Sequence, residues 1–264
     1  MATRMLHKDG ATVRVYADAA ELALKSAQLF ARLADQYVLG NGRFSVVLSG
    51  GSTPRAMLQT LAQEPFASTV PWASIFFFWG DERCVAPNHA DSNFRMAEEA
   101  LLNHVTLPRE NIFRIPAEQS DPHKAAQEYS ETLRQFFVAG SNAVPKSAPL
   151  KSFPRFDLVW LGVGTDGHTA SLFPDTTALK ASQEIAVENY VEKLNAHRVT
   201  LTSATLNNAR NITFLVAGDD KAATLKQVIE DKPQPQRFPC QLIKPANGTL
   251  LWMVDEAAAS QLRE

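Results

Sequence analysis

The sequence has few of the features that place a protein in a membrane or outside the cell. Only two cysteines occur among 264 residues, Cys84 and Cys240, and their spacing indicates neither a disulfide framework nor a metal site. No apolar run approaches the ~18 residues of a membrane span. The N-terminus lacks an apolar core of signal-peptide length. We therefore expect no membrane association and a reduced, cytoplasmic setting.

An excess of charge of one sign is also missing. The chain carries 26 Lys and Arg residues against 28 Asp and Glu residues, a formal net charge of −2, so nucleic acid is not an expected partner. The GKS or GKT ending of a nucleotide P-loop does not occur, and ATP is not implied. The GxSxG turn of a serine nucleophile is absent as well, which disfavours an acyl-enzyme mechanism.

Apolar segments alternate with amphipathic ones along most of the chain. Strands are predicted near residues 11–16, 44–48, 75–79, 112–115, 158–161, 185–187, 195–202, 212–217 and 250–254. Helices are predicted near residues 18–37, 53–62, 94–102, 122–138, 203–210, 221–229 and after 255. This alternation indicates an α/β fold, Rossmann-like, with a mostly parallel sheet and helices on both faces. We expect a single domain over residues 1–264, with a long surface loop at about 139–155.

One segment combines a buried strand with acid–base side chains. Residues 158–161 are an apolar run that ends in Gly162 and Gly164, and Asp166 and His168 follow. In open α/β sheets, ligands bind just beyond the carboxyl ends of such strands. We therefore predict His168 as a catalytic base, since imidazole exchanges protons near neutral pH. Asp166 either accepts the Nδ1 proton and fixes the tautomer or only caps the turn.

The same segment also matches the GxGxxG fingerprint of dinucleotide-binding proteins. Gly162, Gly164 and Gly167 occupy its glycine positions, and an acidic residue, Glu188, follows a possible strand. A lone match is a weak signal. Pro174 interrupts the helix that should hold the pyrophosphate, so nicotinamide binding is disfavoured but remains an alternative, and no cofactor is expected.

A second strand end predicts an anion site. The apolar run 44–48 is followed by five small residues, Ser49, Gly50, Gly51, Ser52 and Thr53. Thr53 followed by Pro54 predicts a helix that begins at the proline. Free N–H groups and hydroxyls at a helix start favour phosphate. The segment is therefore a predicted phosphate cradle, and a tight turn capped by Thr53 is the alternative.

Charged residues follow a third strand end. Asp81, Glu82 and Arg83 come directly after the run 75–79, either at the ligand-binding edge or in a solvated loop. Four cations lie beside predicted strand ends or helix starts: Arg55, Arg83, Arg198 and Lys221. We expect them to share an anion site. No His, Cys or carboxylate cluster has metal-ligand spacing, so no metal is expected.

Three blocks resemble the glucosamine-6-phosphate isomerase/6-phosphogluconolactonase family, and its lactonases in particular. They are LSGGSTPRAML at 48–58, WGDERCVAPNHADSNFRMAEEALL at 79–102 and DLVWLGVGTDGHTASLFPDT at 157–176. AHRVTLT at 196–202 and VAGDDKAATL at 216–225 resemble the family's later segments. The family often has prolines just before 198–202, whereas this chain has Asn195, Ala196 and His197.

The resemblance implies hydrolysis of a small sugar-phosphate lactone. The expected substrate is 6-phospho-D-glucono-1,5-lactone and the product is 6-phosphogluconate, in the oxidative pentose phosphate pathway, without cofactor or catalytic metal. By position, the implied catalytic residues are His168, Arg83 and Asp166, with His168 as the general base. The implied substrate-binding positions are Gly50, Gly51 and Ser52 in the phosphate loop, Arg198 and Lys221 near the phosphate, and Asn93. The oligomeric state is not implied.

Two rival functions are weighed on the same residues. The related deaminases carry GHIAFNEP, with a glutamate five residues after the histidine, where this chain has Phe173. An apolar ring cannot transfer a proton between carbons, which favours the lactonase. A sugar-phosphate sensor without chemistry usually carries a DNA-binding helix-turn-helix, and residues 1–43 predict only one strand and one helix without a basic cluster.

Overall fold

The computed structural model describes residues 4–8, 11–139 and 153–263. Most of the surface loop predicted at 139–155 lies outside these described residues. The strands are β1 (Arg4–Lys8), β2 (Ala11–Tyr16), β3 (Phe44–Leu48), β4 (Ile75–Trp79), β5 (Asp81–Arg83), β6 (Ile112–Phe113), β7 (Leu158–Leu161), β8 (Ala186–Val191), β9 (Ala196–Leu201), β10 (Asn211–Val216) and β11 (Thr249–Asp255).

The helices lie between these strands, as the sequence pattern predicts. They are α1 (Ala19–Asn41), α2 (Ser52–Leu61), α3 (Phe66–Thr69), α4 (Asn93–Ala97), α5 (Pro122–Ala139), α6 (Ser203–Asn207), α7 (Ala222–Glu230) and α8 (Glu256–Ala259). A π-helical turn, Glu98–Leu102, extends α4. Asp18 caps α1 by accepting a hydrogen bond from Glu21 N, and Asp255 caps α8 by accepting one from Ala258 N.

The large sheet has eight strands in the order β1-β2-β11-β10-β7-β3-β4-β6. Its pairs are parallel except for β1, which joins β2 in an antiparallel pair at one edge. The chain moves outward from β3 to β4 and β6, and then returns to β7 on the other side of β3. The order therefore reverses between β3 and β7, which is where ligands bind in open α/β sheets.

Helices cover both faces of this sheet. In β4, Phe77 packs against Phe30 of α1, whereas its neighbours Phe76 and Phe78 pack against Phe136 of α5, with ring centroids 5.1 and 5.0 Å apart. Because successive side chains of a strand point to opposite faces, α1 and α5 lie on opposite sides. The predicted α/β fold with a mostly parallel sheet is thus confirmed.

A second, antiparallel sheet is the main feature that the sequence pattern did not predict. It has three strands in the order β5-β9-β8. The Asp81–Arg83 segment is thus neither a solvated loop nor part of the large sheet: β5 leaves the end of β4 and pairs with β9. Three residues are too few for a recognisable period, which is why the sequence reads as a loop.

Two helix boundaries differ from the prediction. Helix α2 begins at Ser52 with Gly51 as N-cap, so Thr53 is not the cap. Pro54 still fits, because the N–H groups of the first turn have no partner within a helix. Helix α1 continues through Gly40 to Asn41, and Gly42 ends it with φ of 73°.

In the described part of the chain, no helix has the length and apolarity needed to cross a bilayer.

One buried hydrogen-bond pair ties α5 to the end of β4 and gives a stability prediction. The Tyr129 hydroxyl donates to Trp79 O at 2.9 Å and accepts from Trp79 N at 3.0 Å. Tyr129→Phe leaves both backbone groups buried without that partner, so the free energy of unfolding should fall by about 1–3 kcal/mol. Urea denaturation measures it. The exposed Tyr190→Phe is the control, and an equal effect in both variants would contradict the prediction.

Candidate active site

A cavity of about 460 Å³ lies at the carboxyl ends of the central strands. Residues that follow β3, β4, β7 and β10 line it together with residues of the small sheet. Of the residues predicted for the site, those in its lining are Ser49, Gly50, Gly51, Ser52, Thr53, Arg83, Asn93, His168, Arg198 and Lys221. The reversal of strand order between β3 and β7 thus brings distant segments to one cleft.

The loop after β3 and the start of α2 line one side of the cavity. Gly51 has φ of 114°, a conformation that favours glycine, and no side chain caps α2. Ser52 and Thr53, the first residues of α2, line the cavity, so the positive end of the helix dipole lies beside it. Ser49 is buried and its hydroxyl donates to Trp160 O at 2.7 Å, so that donor holds β3 to β7.

A buried polar network that includes Asn93 packs against Gly50 of this loop. Asn93 Nδ2 donates to Asp81 O at 3.0 Å and lies 3.3 Å from Asp81 Oδ1, and the Ser171 hydroxyl donates to Asp81 Oδ2 at 2.7 Å. The Glu82 carboxylate accepts from the backbone N–H groups of Asn93 and Phe94, each at 2.8 Å. Burial raises the pKa of Glu82, and these backbone hydrogen bonds oppose the rise. The network fixes β5 against the start of α4.

The imidazole of His168 is held by contacts on its edge and its face. Its Nδ1 lies 2.5 Å from Asp166 Oδ1, and its ring stacks on Phe173 with centroids 4.0 Å apart. Asp166 Oδ1 also accepts from His168 N at 3.2 Å. Asp166 therefore both closes the turn and pairs with the imidazole, so the two alternatives from the sequence occur together. When Nδ1 keeps its proton and donates it in a hydrogen bond to Asp166, the free lone pair of the neutral ring is on Nε2.

Burial and positive charge keep the His168 ring neutral. The pKa of His168 is lowered from 6.5 to about 4, mainly because burial disfavours the charged form. Asp81 opposes this shift, and three nearby cations add to it, namely Lys221, Arg198 and Arg83. At neutral pH the imidazole can therefore accept a proton.

Two arginines stand opposite each other in the small sheet. Arg83 of β5 and Arg198 of β9 are paired in register, and the Nε of each is buried without a hydrogen-bond partner in the described residues. Arg83 Nη1 donates to Asp91 O. Burial and the charge of Arg83 lower the pKa of Arg198. Like charges directly across a strand pair repel each other, which favours an anion between them.

The remaining two predicted cations are placed differently. Lys221 lines the cavity and pairs with Asp220 at 2.9 Å. Arg55 is outside the lining, because its side chain points to Glu99 at 3.1 Å with both side chains about half exposed. The structure thus does not bring Arg55 to the anion site, although α2 begins there. Helical periodicity carries its side chain away from the cleft.

Two of the three glycines of the GxGxxG match, Gly164 and Gly167, lie where a Cβ would meet a neighbouring side chain, whereas Gly162 has open space around it. No helix follows them within residues 162–176, so the element that would hold a pyrophosphate is missing there. A Cβ at Gly164 would lie 2.0 Å from His168 Nδ1, and a Cβ at Gly50 would lie 1.9 Å from Asn93 Oδ1.

In the described residues, no group of three His, Cys, Asp or Glu side chains is arranged to hold a metal ion.

Comparison with known proteins identifies the family. The family model described as glucosamine-6-phosphate isomerases/6-phosphogluconolactonase matches residues 17–252. The chain belongs to this family. It is 40% identical over 252 residues to the 6-phosphogluconolactonase of a Nostoc species, covering 95% of this chain and 98% of that protein. It is also 40% identical over 223 residues to the Synechocystis 6-phosphogluconolactonase, covering 84% and 86%.

A solved structure of the same family agrees with the fold. The 6-phosphogluconolactonase of Trypanosoma cruzi superposes with a TM-score of 0.82 at 26% identity, covering 99% of this chain and all of that one. Within the family, Phe173 takes the place where the deaminase pattern has a glutamate, and here its ring stacks on the imidazole.

Of two further residues in the cavity lining, Asp81 was placed at the strand end by the sequence but given no role, and Lys193 was missed. Asp81 is buried and lines the cavity, where it accepts from Ser171 and lies close to Asn93. Its position directly after β4 was the available signal. Lys193 lines the cavity from the turn between β8 and β9, and its ammonium contacts Asp166. No sequence signal separates this lysine from a solvated one.

Close packing at Gly164 gives a direct structural prediction. Gly164→Ala puts a methyl carbon against His168 Nδ1 and 2.8 Å from Asp166 Oδ1. We expect the imidazole to be displaced by about 1 Å or more, enough to misalign a catalytic group. Crystal structures of the variants measure it. In Gly162→Ala the same methyl meets nothing within 4 Å, so the ring should stay in place. An undisturbed ring in Gly164→Ala would contradict the prediction.

Proposed function

We propose that this chain hydrolyses 6-phospho-D-glucono-1,5-lactone to 6-phosphogluconate, with His168 as the general base and without a covalent intermediate. The observation that carries the proposal is the shared cavity: a neutral imidazole, paired with Asp166, opens onto the same space as an uncapped helix start and several cations. A base and an anion site together suit a phosphorylated substrate with a hydrolysable bond.

The phosphate end of the substrate is assigned to α2 and the cations. The N–H groups at the start of α2 and the dipole of this helix favour a negative ligand. Arg198 and Lys221 supply charge to the same space. A phosphate there gives the buried Arg198 Nε an acceptor that it lacks among the described residues. Phosphate binding then orients the lactone ring toward His168.

The chemical step needs only water and the side chains already named. His168 Nε2 takes a proton from water as the water oxygen attacks the lactone carbonyl carbon. Negative charge develops on the carbonyl oxygen, and Arg83 is assigned to stabilise it. The bond from that carbon to the ring oxygen then breaks, and protonated His168 returns the proton to the ring oxygen. The products are a carboxylic acid, which ionises, and a free hydroxyl.

Substrate binding strengthens the base. A group with a pKa of about 4 is neutral at pH 7 but is only a weak base. Burial of the ring is the main cause of that low pKa. The positive charges of Lys221, Arg198 and Arg83 lower it further. A bound phosphate dianion offsets their charge, so the pKa of His168 rises toward neutrality in the complex. Basicity is therefore greatest when the lactone is in place.

The base assignment is tested by removing the imidazole. His168→Ala should lower kcat for the phosphorylated lactone by about 10²–10⁴-fold, because a positioned base contributes that much. Coupled oxidation of the 6-phosphogluconate formed gives the rate, after subtraction of spontaneous hydrolysis at the same pH. His123→Ala removes an exposed histidine of α5 outside the cavity and serves as control. Turnover of His168→Ala within a few-fold of the control would exclude His168 as the base.

The phosphate assignment is tested by pairing variants with substrates. Arg198→Met should lower kcat/KM for the phosphorylated lactone by about 10²-fold, since a charge-assisted contact is lost. Its kcat/KM for unphosphorylated gluconolactone should change little. Arg55→Met, which removes a cation outside the cavity, should leave both values within about twofold. Equal losses on both lactones in Arg198→Met would place Arg198 at the reacting carbonyl instead.

A further inference from the structure

A lysine outside the predicted site contacts the acid–base pair. Lys193 lies in the short turn Glu192–Leu194 between β8 and β9, which ends at Asn195 with φ of 45°. Its ammonium contacts Asp166 Oδ2 and lies 5.0 Å from the centre of the Phe173 ring. Lys193 therefore contacts Asp166 and Phe173, the same two residues that contact the imidazole of His168.

The three side chains form a continuous chain of contacts. Asp166 Oδ1 faces His168 Nδ1 at 2.5 Å, and Asp166 Oδ2 faces Lys193. Both carboxylate oxygens are thus engaged, one by each partner. A carboxylate held at both oxygens cannot rotate without breaking one of the two contacts. Its orientation, and with it the orientation of the imidazole, depends on both.

We propose that Lys193 is a positioning residue for the acid–base pair: its ammonium fixes the carboxylate of Asp166 and offsets its negative charge beside His168. The proposal rests on the proposed function, in which His168 is the base. Lys193 acts through Asp166 and is not assigned to the substrate. Its place in the hairpin turn means that the small sheet sets the geometry of the base as well as that of Arg198.

The charges around the imidazole explain why this offset matters. The titratable and charged groups that face His168 are Asp166 in its own turn, Lys193 between β8 and β9, Asp81 and Arg83 of β5, Arg198 of β9 and Lys221 after β10. Without Lys193 the Asp166 charge is no longer offset. An uncompensated carboxylate favours the imidazolium, so the pKa of His168 rises.

A merely structural role for Lys193 would give a different pattern. Its side chain is 53% exposed, and solvent-exposed ion pairs contribute little to folding stability. We therefore expect Lys193→Met to fold with an unchanged melting temperature. Any loss of function then reports on the site rather than on the fold.

The first test follows the His168 ring in the free protein by NMR as pH is varied. The midpoint is expected near pH 4 in the unaltered protein. It should rise by about one unit in Lys193→Met, because the cation beside the Asp166 carboxylate is lost. Lys193→Arg retains the charge and should restore the original midpoint. Lys232→Met removes an exposed lysine outside the cavity and is the matched control. An unchanged midpoint in Lys193→Met would overturn the proposal.

The second test separates positioning from substrate binding. Lys193→Met should lower kcat about tenfold while KM changes less than about twofold, because a misaligned base slows the chemical step. In the Asp166→Asn background the same change should have no further effect, since Lys193 acts through that carboxylate. A raised KM with unchanged kcat, or an equal loss in both backgrounds, would overturn the proposal. Full turnover of His168→Ala would instead refute the base assignment, and the NMR result would still report on Lys193.

Discussion

Four parallel strands, β10, β7, β3 and β4, end side by side at one edge of the large sheet, and the site depends on that convergence. Each strand end contributes one part: Lys221 follows β10, His168 follows β7, the 49–53 loop follows β3 and β5 continues from β4. Parallel strands leave their carboxyl ends at a common edge, so residues far apart in sequence meet without long loops. The hydrogen bond from Ser49 to Trp160 O fixes two of these ends to each other.

Charge is the second constraint, because the cavity gathers more cations than its carboxylates neutralise. Lys221 is paired with Asp220 and Lys193 with Asp166, whereas Arg83 and Arg198 face each other across β5 and β9. Holding two arginines in this way costs stability in the free protein, since like charges repel and buried donors lack acceptors. Such local conflicts are expected at functional sites, where a ligand of opposite charge relieves them.

Sequence patterns predict those parts of the fold that repeat over many residues. The long strands and helices of the large sheet have clear apolar periods, so their order and type could be predicted, and Gly50 and His168 could be placed at strand ends. The Asp81–Arg83 strand could not be predicted, because three residues carry no period. Its partner β9 lies over a hundred residues later, and that pairing is visible only in three dimensions.

The same reasoning explains which site residues the sequence identified. The His168 and 49–53 segments combine glycines with a strand end, a local signal that needs no tertiary information. Arg55 follows the 49–53 segment closely but points to Glu99, because a residue one turn into a helix faces another direction. Lys193 has no local signal, since a lysine in a hairpin turn is usually solvated. Its contact with Asp166 exists only because the hairpin folds over the end of β7.

The small sheet brings charged side chains to the edge of the large sheet where the cavity lies. Without it, the strand ends would offer a helix start and an imidazole, but β9 would not bring Arg198 beside Arg83, and the β8–β9 turn would not bring Lys193 to Asp166. Strands hold side chains more rigidly than loops do. A charged group that acts at a distance of a few ångströms must be held at that distance, since its effect on a neighbouring pKa depends on separation. The antiparallel pairing of β5 with β9 therefore fixes two of the charges, Arg83 and Arg198, that lower the pKa of His168.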